Sequence, residues 1–271
     1  FHDQAAPRDF FQDSKYATNI FNENNRNYFP LRANKSLNGI EFVAMCADVL
    51  KMKKNLCICR HFHLLDKNEF SKGGALDYID VWPVNFFNPS EEDAFDTTSL
   101  FMMQLACIIN MVPSWKNLTL RIFHVEVESD RRNLTIAEPA GMRTEFGGIS
   151  TEIRMRKMLD SLRITAKIYK ITKLTEQTGE TSVEDEEEDD DGGLGISSLM
   201  KNYILKANNV IRENSIKTAA VFLYLPAPPT ANSWQGQSSL KEYLDLLTDL
   251  TNGLPPTVLV HGVSAVTSTT L

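Results

Sequence analysis

The sequence predicts an α/β fold, a mostly parallel sheet with helices on both faces. Three observations carry this expectation. From residue 79 onward, strand-like and helix-like segments alternate in the order β-α-β-α-β-α-β-α-β, the grammar of parallel crossover units. Residues 219–225 (AAVFLYL) and 257–260 (TVLV) are apolar almost throughout rather than at alternate positions, as expected when both faces of a sheet are covered. Between such runs, apolar residues recur at helical spacing.

The elements follow in order. Residues 1–37 are polar, aromatic-rich and aperiodic, and read as a flexible lead-in. Residues 39–52 (GIEFVAMCADVLKM) place Ile40, Val43, Ala44, Ala47, Val49 and Leu50 roughly on one helical face, with Asn38 as N-cap. LCICRHF (56–62) is a short strand. YIDVWPVNFF (78–87) is a strand that must stop at Pro83 or lie at an edge, because proline has no backbone donor. Asp96 and Thr97 are placed to cap the helix LFMMQLACIINM (100–111), and LTLRIFHV (118–125) is the next strand.

A polar loop holding Gly141, Gly147 and Gly148 covers 126–148. An amphipathic helix over 149–164 follows, with Ile153, Met155, Leu159 and Leu162 among charges, and then the strand AKIYKI (166–171). Residues 174–195 form a flexible acidic insertion, since like charges at that density repel and cannot pack. A helix over 198–214, the strand 219–225, a break at PAPP (226–229), a helix over 240–251 and the strand TVLVHG (257–262) complete the core. VTSTTL (266–271) is expected to add a short final strand. The expected division is a lead-in and the end of a first, truncated α/β half over 1–78, followed by a second half over 79–271.

At 271 residues, 42% hydrophobic and 23% charged, the composition is that of a globular chain. The net charge of −7 has one local cause: removing the eight acids of 184–191 from the total of 35 leaves 27 acids against 28 bases. A near-neutral remainder with arginines scattered singly argues against a nucleic-acid partner. The longest apolar run, 100–112, covers about 20 Å as a helix, short of the ~30 Å hydrocarbon layer. The chain starts at Phe1 with no basic-then-apolar leader, so no signal peptide is expected and a fragment of a longer protein is. Cys46, Cys57, Cys59 and Cys107 all lie in apolar helix or strand patterns, which suggests a reducing compartment.

Four motifs invite a chemical reading. His261-Gly262 after an apolar strand mimics the oxyanion loop of α/β-hydrolases, but no G-x-S-x-G elbow occurs and only ten residues follow His261. The bland reading, a strand-end histidine beside a turn glycine, is preferred, and no catalytic residue is assigned. Cys57, Cys59, His61 and His63 are metal-ligand types, yet on one strand face they would span some 20 Å and could not gather around one ion. Glu187, Asp189, Asp191 and Gly192 match the start of a calcium loop, but Ser198 stands where the bidentate glutamate belongs. Gly147-Gly148-Ile149-Ser150 before a helix could cradle a phosphate, although neither G-x-G-x-x-G nor G-x-x-x-x-G-K-[ST] is present. No metal or cofactor is therefore expected and no enzyme is read here. Thr181 and Ser182, just ahead of the acids, are candidate sites for an acid-directed kinase.

Several segments together resemble a known family. Ile79-Asp80-Val81-Trp82, the helix ending Met111-Val112-Pro113-Ser114-Trp115, Leu120-Arg121-Ile122-Phe123, Leu159 to Ile164, and the closing Leu254 to Gly262 are similar to the C-terminal cytoplasmic domain of the cation–chloride cotransporters, solute carrier family 12. Asp80-Val81-Trp82-Pro83, Phe222 to Pro229, the helix Phe42 to Asn55, and His-Gly where relatives carry Arg-Gly point to its ninth-member branch. The resemblance covers about 40–125 and 149–271. It implies two universal-stress-protein-like α/β halves, a regulatory and homodimerising role beside the chain's own transmembrane domain, and possible pairing with other cotransporters of the family. Electroneutral chloride-coupled cation symport would belong to transmembrane helices outside these residues, in a membrane whose cytoplasmic face this domain occupies. The alternative is a free-standing soluble α/β protein of the nucleotide-binding or stress type.

Overall fold

The computed structural model describes residues 39–66, 74–125, 151–172, 174, 194–229 and 237–264. In chain order the elements are α1 (Gly39–Lys51), β1 (Leu56–Arg60), β2 (Tyr78–Trp82), α2 (Thr97–Met111), β3 (Thr119–Val125), α3 (Thr151–Ser161), β4 (Lys167–Ile171), α4 (Leu194–Asn214), β5 (Thr218–Tyr224), α5 (Gln237–Thr251) and β6 (Thr257–His261). Short 3-10 turns lie at Phe62–Leu64 and Glu91–Phe95.

The strands form one six-stranded sheet in the order β1-β6-β5-β2-β3-β4. Its neighbours run parallel from β6 to β4, and β1 alone is antiparallel, with Cys57 opposite Val260 and Cys59 opposite Val258. The α/β class with a mostly parallel sheet is therefore the fold of this chain. β2 lies in the middle, between β5 and β3, and stops at Trp82 because Pro83 cannot donate to either neighbour.

Strand alternation divides the core in two. Val221 and Leu223 of β5, Phe123 of β3 and Leu259 of β6 face the layer of α1, α4 and α5, where they meet Val43, Ile204, Ile211 and Leu247. Ala220 and Phe222, Ile122 and Val258 face the opposite layer, where Met102, Met103 and Ala106 of α2 and Met155 and Leu159 of α3 cover them. All seven residues of β5 are buried, which explains why that strand reads as one continuous apolar run.

Most bounds match the periodicity, with instructive shifts. α2 begins at Thr97, a turn fragment ahead of its apolar run, because the Asp96 side chain accepts the Ser99 amide at 2.8 Å and fixes the start there. α4 begins at Leu194, inside the end of the expected insertion. β1 stops at Arg60 rather than Phe62, since His61 takes a left-handed conformation at φ 60° and turns the chain into the 3-10 turn. The expected break between 78 and 79 falls between parts that share this sheet: β1 pairs with β6, and α1 packs on α5. Asn38 and the expected strand over 266–271 lie outside the described residues.

Candidate functional site at the carboxyl end of the sheet

Open parallel sheets bind ligands beyond their strand carboxyl ends, at the point where strand order reverses. Here the chain winds from β2 through β3 to β4 on one side, then returns to place β5 and β6 on the other. The reversal lies between β2 and β5, and the start of α2 sits over it.

That helix start is already occupied by an anion from the chain itself. Asp96 Oδ1 accepts the Ser99 amide at 2.8 Å, and Oδ2 accepts the Tyr224 hydroxyl at 2.6 Å. The carboxylate thus takes the place at the positive end of the helix where a phosphate would bind. Burial, and then the hydrogen bond to Asp96, push the Tyr224 phenol well above its ordinary value, so it stays a donor. Upstream, Asp93 Oδ2 accepts the amides of Asn85 and Ser90 at 2.9 Å each, closing a capping box with Ser90. Burial raises the Asp93 carboxyl.

The His-Gly pair ends β6 in the same place. The Thr98 hydroxyl donates to the Gly262 carbonyl and accepts the Gly262 amide, both at 3.1 Å. A Cβ at Gly262 would lie 2.8 Å from Phe101 Cβ and 2.9 Å from both Thr97 O and Thr98 Cα, two of them backbone atoms that cannot rotate away. Only glycine lets β6 approach α2 this closely. His261 Nδ1 lies 2.8 Å from the Leu225 carbonyl, and its ring stands edge-on to Tyr224 with centroids 6.2 Å apart. Beyond it, Asn55 Oδ1 accepts the amides of Val263 and Ser264 at 2.7 and 3.0 Å. His261 thus fastens the end of β6 to the end of β5.

The Cys57-to-His63 cluster is also organised for packing. β1 ends before His61, so the histidines do not continue the strand spacing assumed for them. Arg60 donates to the Thr251 hydroxyl and, at 3.4 Å, to the Leu247 carbonyl. His61 Nε2 lies 3.0 Å from the Thr251 carbonyl. Together they cap the carboxyl end of α5, where positive charge and donors are favoured. Burial lowers the His61 imidazole below its ordinary value, and the nearby Arg60 and His63 add to that against the Thr251 carbonyl. Cys57 and Cys59 are exposed, and the surrounding protein followed by Cys59 pushes the Cys57 thiol up to about 11. Among the described residues, no three His, Cys, Asp or Glu side chains converge on a metal position.

A third polar group lies at the opposite, amino end of the sheet and was not anticipated. Asp80, fully buried in the central strand, accepts from Arg121 Nε at 2.7 Å and Nη2 at 2.8 Å, from the Thr218 hydroxyl at 2.6 Å and from the Ser215 hydroxyl at 3.0 Å. Arg121 Nη2 also donates to the Asn214 carbonyl at 2.8 Å, so the same guanidinium caps the end of α4. It lies 3.8 Å from the centre of the Tyr78 ring. Burial raises the Asp80 carboxyl, opposed first by the Arg121 hydrogen bonds and then by the hydroxyls. The sequence signal, an acid in one strand and a base in the next, was visible, but nothing local showed the two in register.

Thr181, Ser182, Gly147-Gly148 and the run from Glu187 to Gly192 lie outside the described residues.

No protein-family model matches the chain. Individual proteins do. Across the whole chain it is 33% identical over 289 residues to solute carrier family 12 member 9 of Xenopus laevis and 31% identical over 294 residues to that of Danio rerio. Over 88% of the chain it is 30% identical to solute carrier family 12 member 9 of Homo sapiens. The chain belongs to solute carrier family 12. It spans only 30%, 29% and 26% of the length of these three relatives. Among the described residues of this family member, no helix is long and apolar enough to cross a membrane.

Proposed function

We propose that this chain is the C-terminal cytoplasmic, dimerising and regulatory domain of a chloride-coupled cation cotransporter. Electroneutral cation–chloride symport is carried by transmembrane helices outside these residues. The observation that supports this most is the match, 30–33% identical across 88–100% of the chain, to a segment amounting to under a third of transporter-family proteins. The described elements fit a supporting rather than a conducting part, since their polar groups are spent on caps and strand ends. The Asp96 carboxylate at the start of α2 also weighs against the alternative of a nucleotide-binding protein.

Partners follow from the same reading: the chain's own transmembrane domain, a second copy, and other cotransporters of the family. Sedimentation of the full chain over a concentration series tests the assembly part. A concentration-dependent shift from monomer to dimer is expected. A strict monomer at high concentration would remove dimerisation from the proposal.

A further inference from the structure

A groove of about 590 Å3 runs between α3 and the sheet edge at β4, lined by Arg156, Asp160, Thr165, Lys167 and Tyr169 among others. β4 is the last strand of the sheet, and its outer edge has no strand neighbour among the described residues. Residues 151–171 carry six bases, Arg154, Arg156, Lys157, Arg163, Lys167 and Lys170, against two acids, Glu152 and Asp160. Two of the bases are engaged: Arg154 grips Glu92 at 3.0 Å, and Arg156 pairs with Glu152 at 2.7 Å on the surface. Lys157, Arg163 and Lys167 are exposed and make no ion pair with any described acid. Lys167 lines the groove, while Lys157 and Arg163 are chain neighbours of the lining residues Arg156 and Ile164.

The chain supplies the complementary charge itself. Residues 174–195, just beyond β4, hold ten acids and no base. We propose that the acidic run 184–191 is the occupant of the groove between α3 and β4, held by Lys167 and by Arg156, whose exposed pair with Glu152 can be exchanged at little cost. The tether is long enough. Twelve residues, 172–183, separate the end of β4 from the run and two, 192–193, separate the run from α4; a chain of twelve residues reaches up to ~40 Å when extended. A five-residue strand is only about 17 Å long, so the groove is within reach of the end of the run that leaves β4. Each exposed ion pair contributes little, about 0–1 kcal/mol. A tethered run with eight charges, however, meets the groove at an effective concentration in the millimolar range.

An anionic lipid surface is the competing partner for a basic patch. Two observations favour the peptide run. The site is a concave groove along a strand edge with Asp160 inside it, whereas a planar headgroup layer needs an open basic face. Ten tethered acids next to the patch would also repel an anionic membrane.

The test uses the full chain and a full-chain variant in which the eight acids of 184–191 are replaced by serine and asparagine. The probe is a labelled peptide of residues 181–193, followed by fluorescence anisotropy at low and high salt. The peptide should bind the neutralised variant, bind the unaltered chain at least about ten-fold more weakly, and be released by salt. Adding Arg156→Glu and Lys167→Glu to the neutralised variant should abolish binding, with circular dichroism showing the fold retained at these exposed positions. No binding to the neutralised variant would overturn the proposal, as would equal binding to both chains or binding indifferent to the charge reversals. Capture of phosphatidylserine vesicles by the neutralised variant, with no peptide binding, would overturn it in favour of lipid.

Discussion

Arg121→Met removes one partner of the buried pair in the central sheet while keeping much of the side-chain volume. The carboxylate left behind, Asp80, is fully buried, and Arg121 is itself only 11% exposed. Breaking such a pair from one side costs about 3–5 kcal/mol, against about 0–1 kcal/mol for an exposed pair. The Asn214 carbonyl at the end of α4 loses its donor in the same step. At roughly 2–4 °C per kcal/mol for a domain of this size, the melting temperature should fall by about 6–20 °C. The loss should also carry a pH signature. Without the guanidinium, the Asp80 carboxyl rises further above its unfolded value of about 3.9, so protons bind the folded form more tightly than the unfolded. Stability is then lost as pH rises through that raised value, and the deficit against the unaltered chain narrows as pH falls from 7 towards 5. The double variant Asp80→Asn/Arg121→Met should recover more than about 1 kcal/mol relative to additivity. Urea unfolding at each pH measures all of this. A loss under about 1 kcal/mol for Arg121→Met, with no coupling to Asp80→Asn, would show that the pair behaves like a surface contact and refute the reasoning.

Other outcomes follow from the carboxyl end. Gly262→Ala forces a Cβ to within 2.8–2.9 Å of α2, and overpacking of this kind costs about 1–3 kcal/mol in urea unfolding. Asp96→Ala removes the α2 cap and leaves the Tyr224 hydroxyl without its acceptor. A loss of about 1–2 kcal/mol is expected, with near-ultraviolet circular dichroism reporting the freed tyrosine. Because the folded His61 imidazole is lowered below its unfolded value of about 6.5, its contribution is present above pH 6.5 and lost as pH falls from there through the lower folded value. His61→Asn should therefore flatten the decline of the urea midpoint between pH 7 and 5. ATP should leave the melting temperature of the full chain unchanged, and a saturable rise would revive the nucleotide-binding alternative.

Local chemistry made much of the fold legible. The continuous apolar runs of β5 and β6 announced strands covered on both faces, Pro83 marked where β2 must stop, and Asp96 was readable as a cap. What stayed hidden depends on pairings between distant parts of the chain. β1 reads as a strand from its own residues, but its antiparallel place beside β6 is set by a partner about 200 positions away. His61 is of a metal-ligand type that strand spacing already argued against, but its role, holding the end of α5, depends on Thr251, 190 positions on. Gly262 reads as a turn glycine beside a strand end, but the close approach of Thr97 and Phe101 that requires it cannot be read from neighbours in sequence. Asp80 and Arg121 had the right charges in plain view, and only the register of β2 against β3, which sets Asp80 opposite Arg121, brings them together.

The central claim concerns what this domain serves, and one measurement addresses it directly. The full-length protein containing this chain is expressed in cells, and rubidium uptake is followed with chloride present or replaced, alongside a version lacking residues 39–271 and a check of membrane insertion. The account predicts chloride-dependent uptake by the full-length protein that is reduced or unregulated when these residues are removed. Uptake indifferent to chloride, or chloride-dependent uptake unaltered by the deletion, would contradict it.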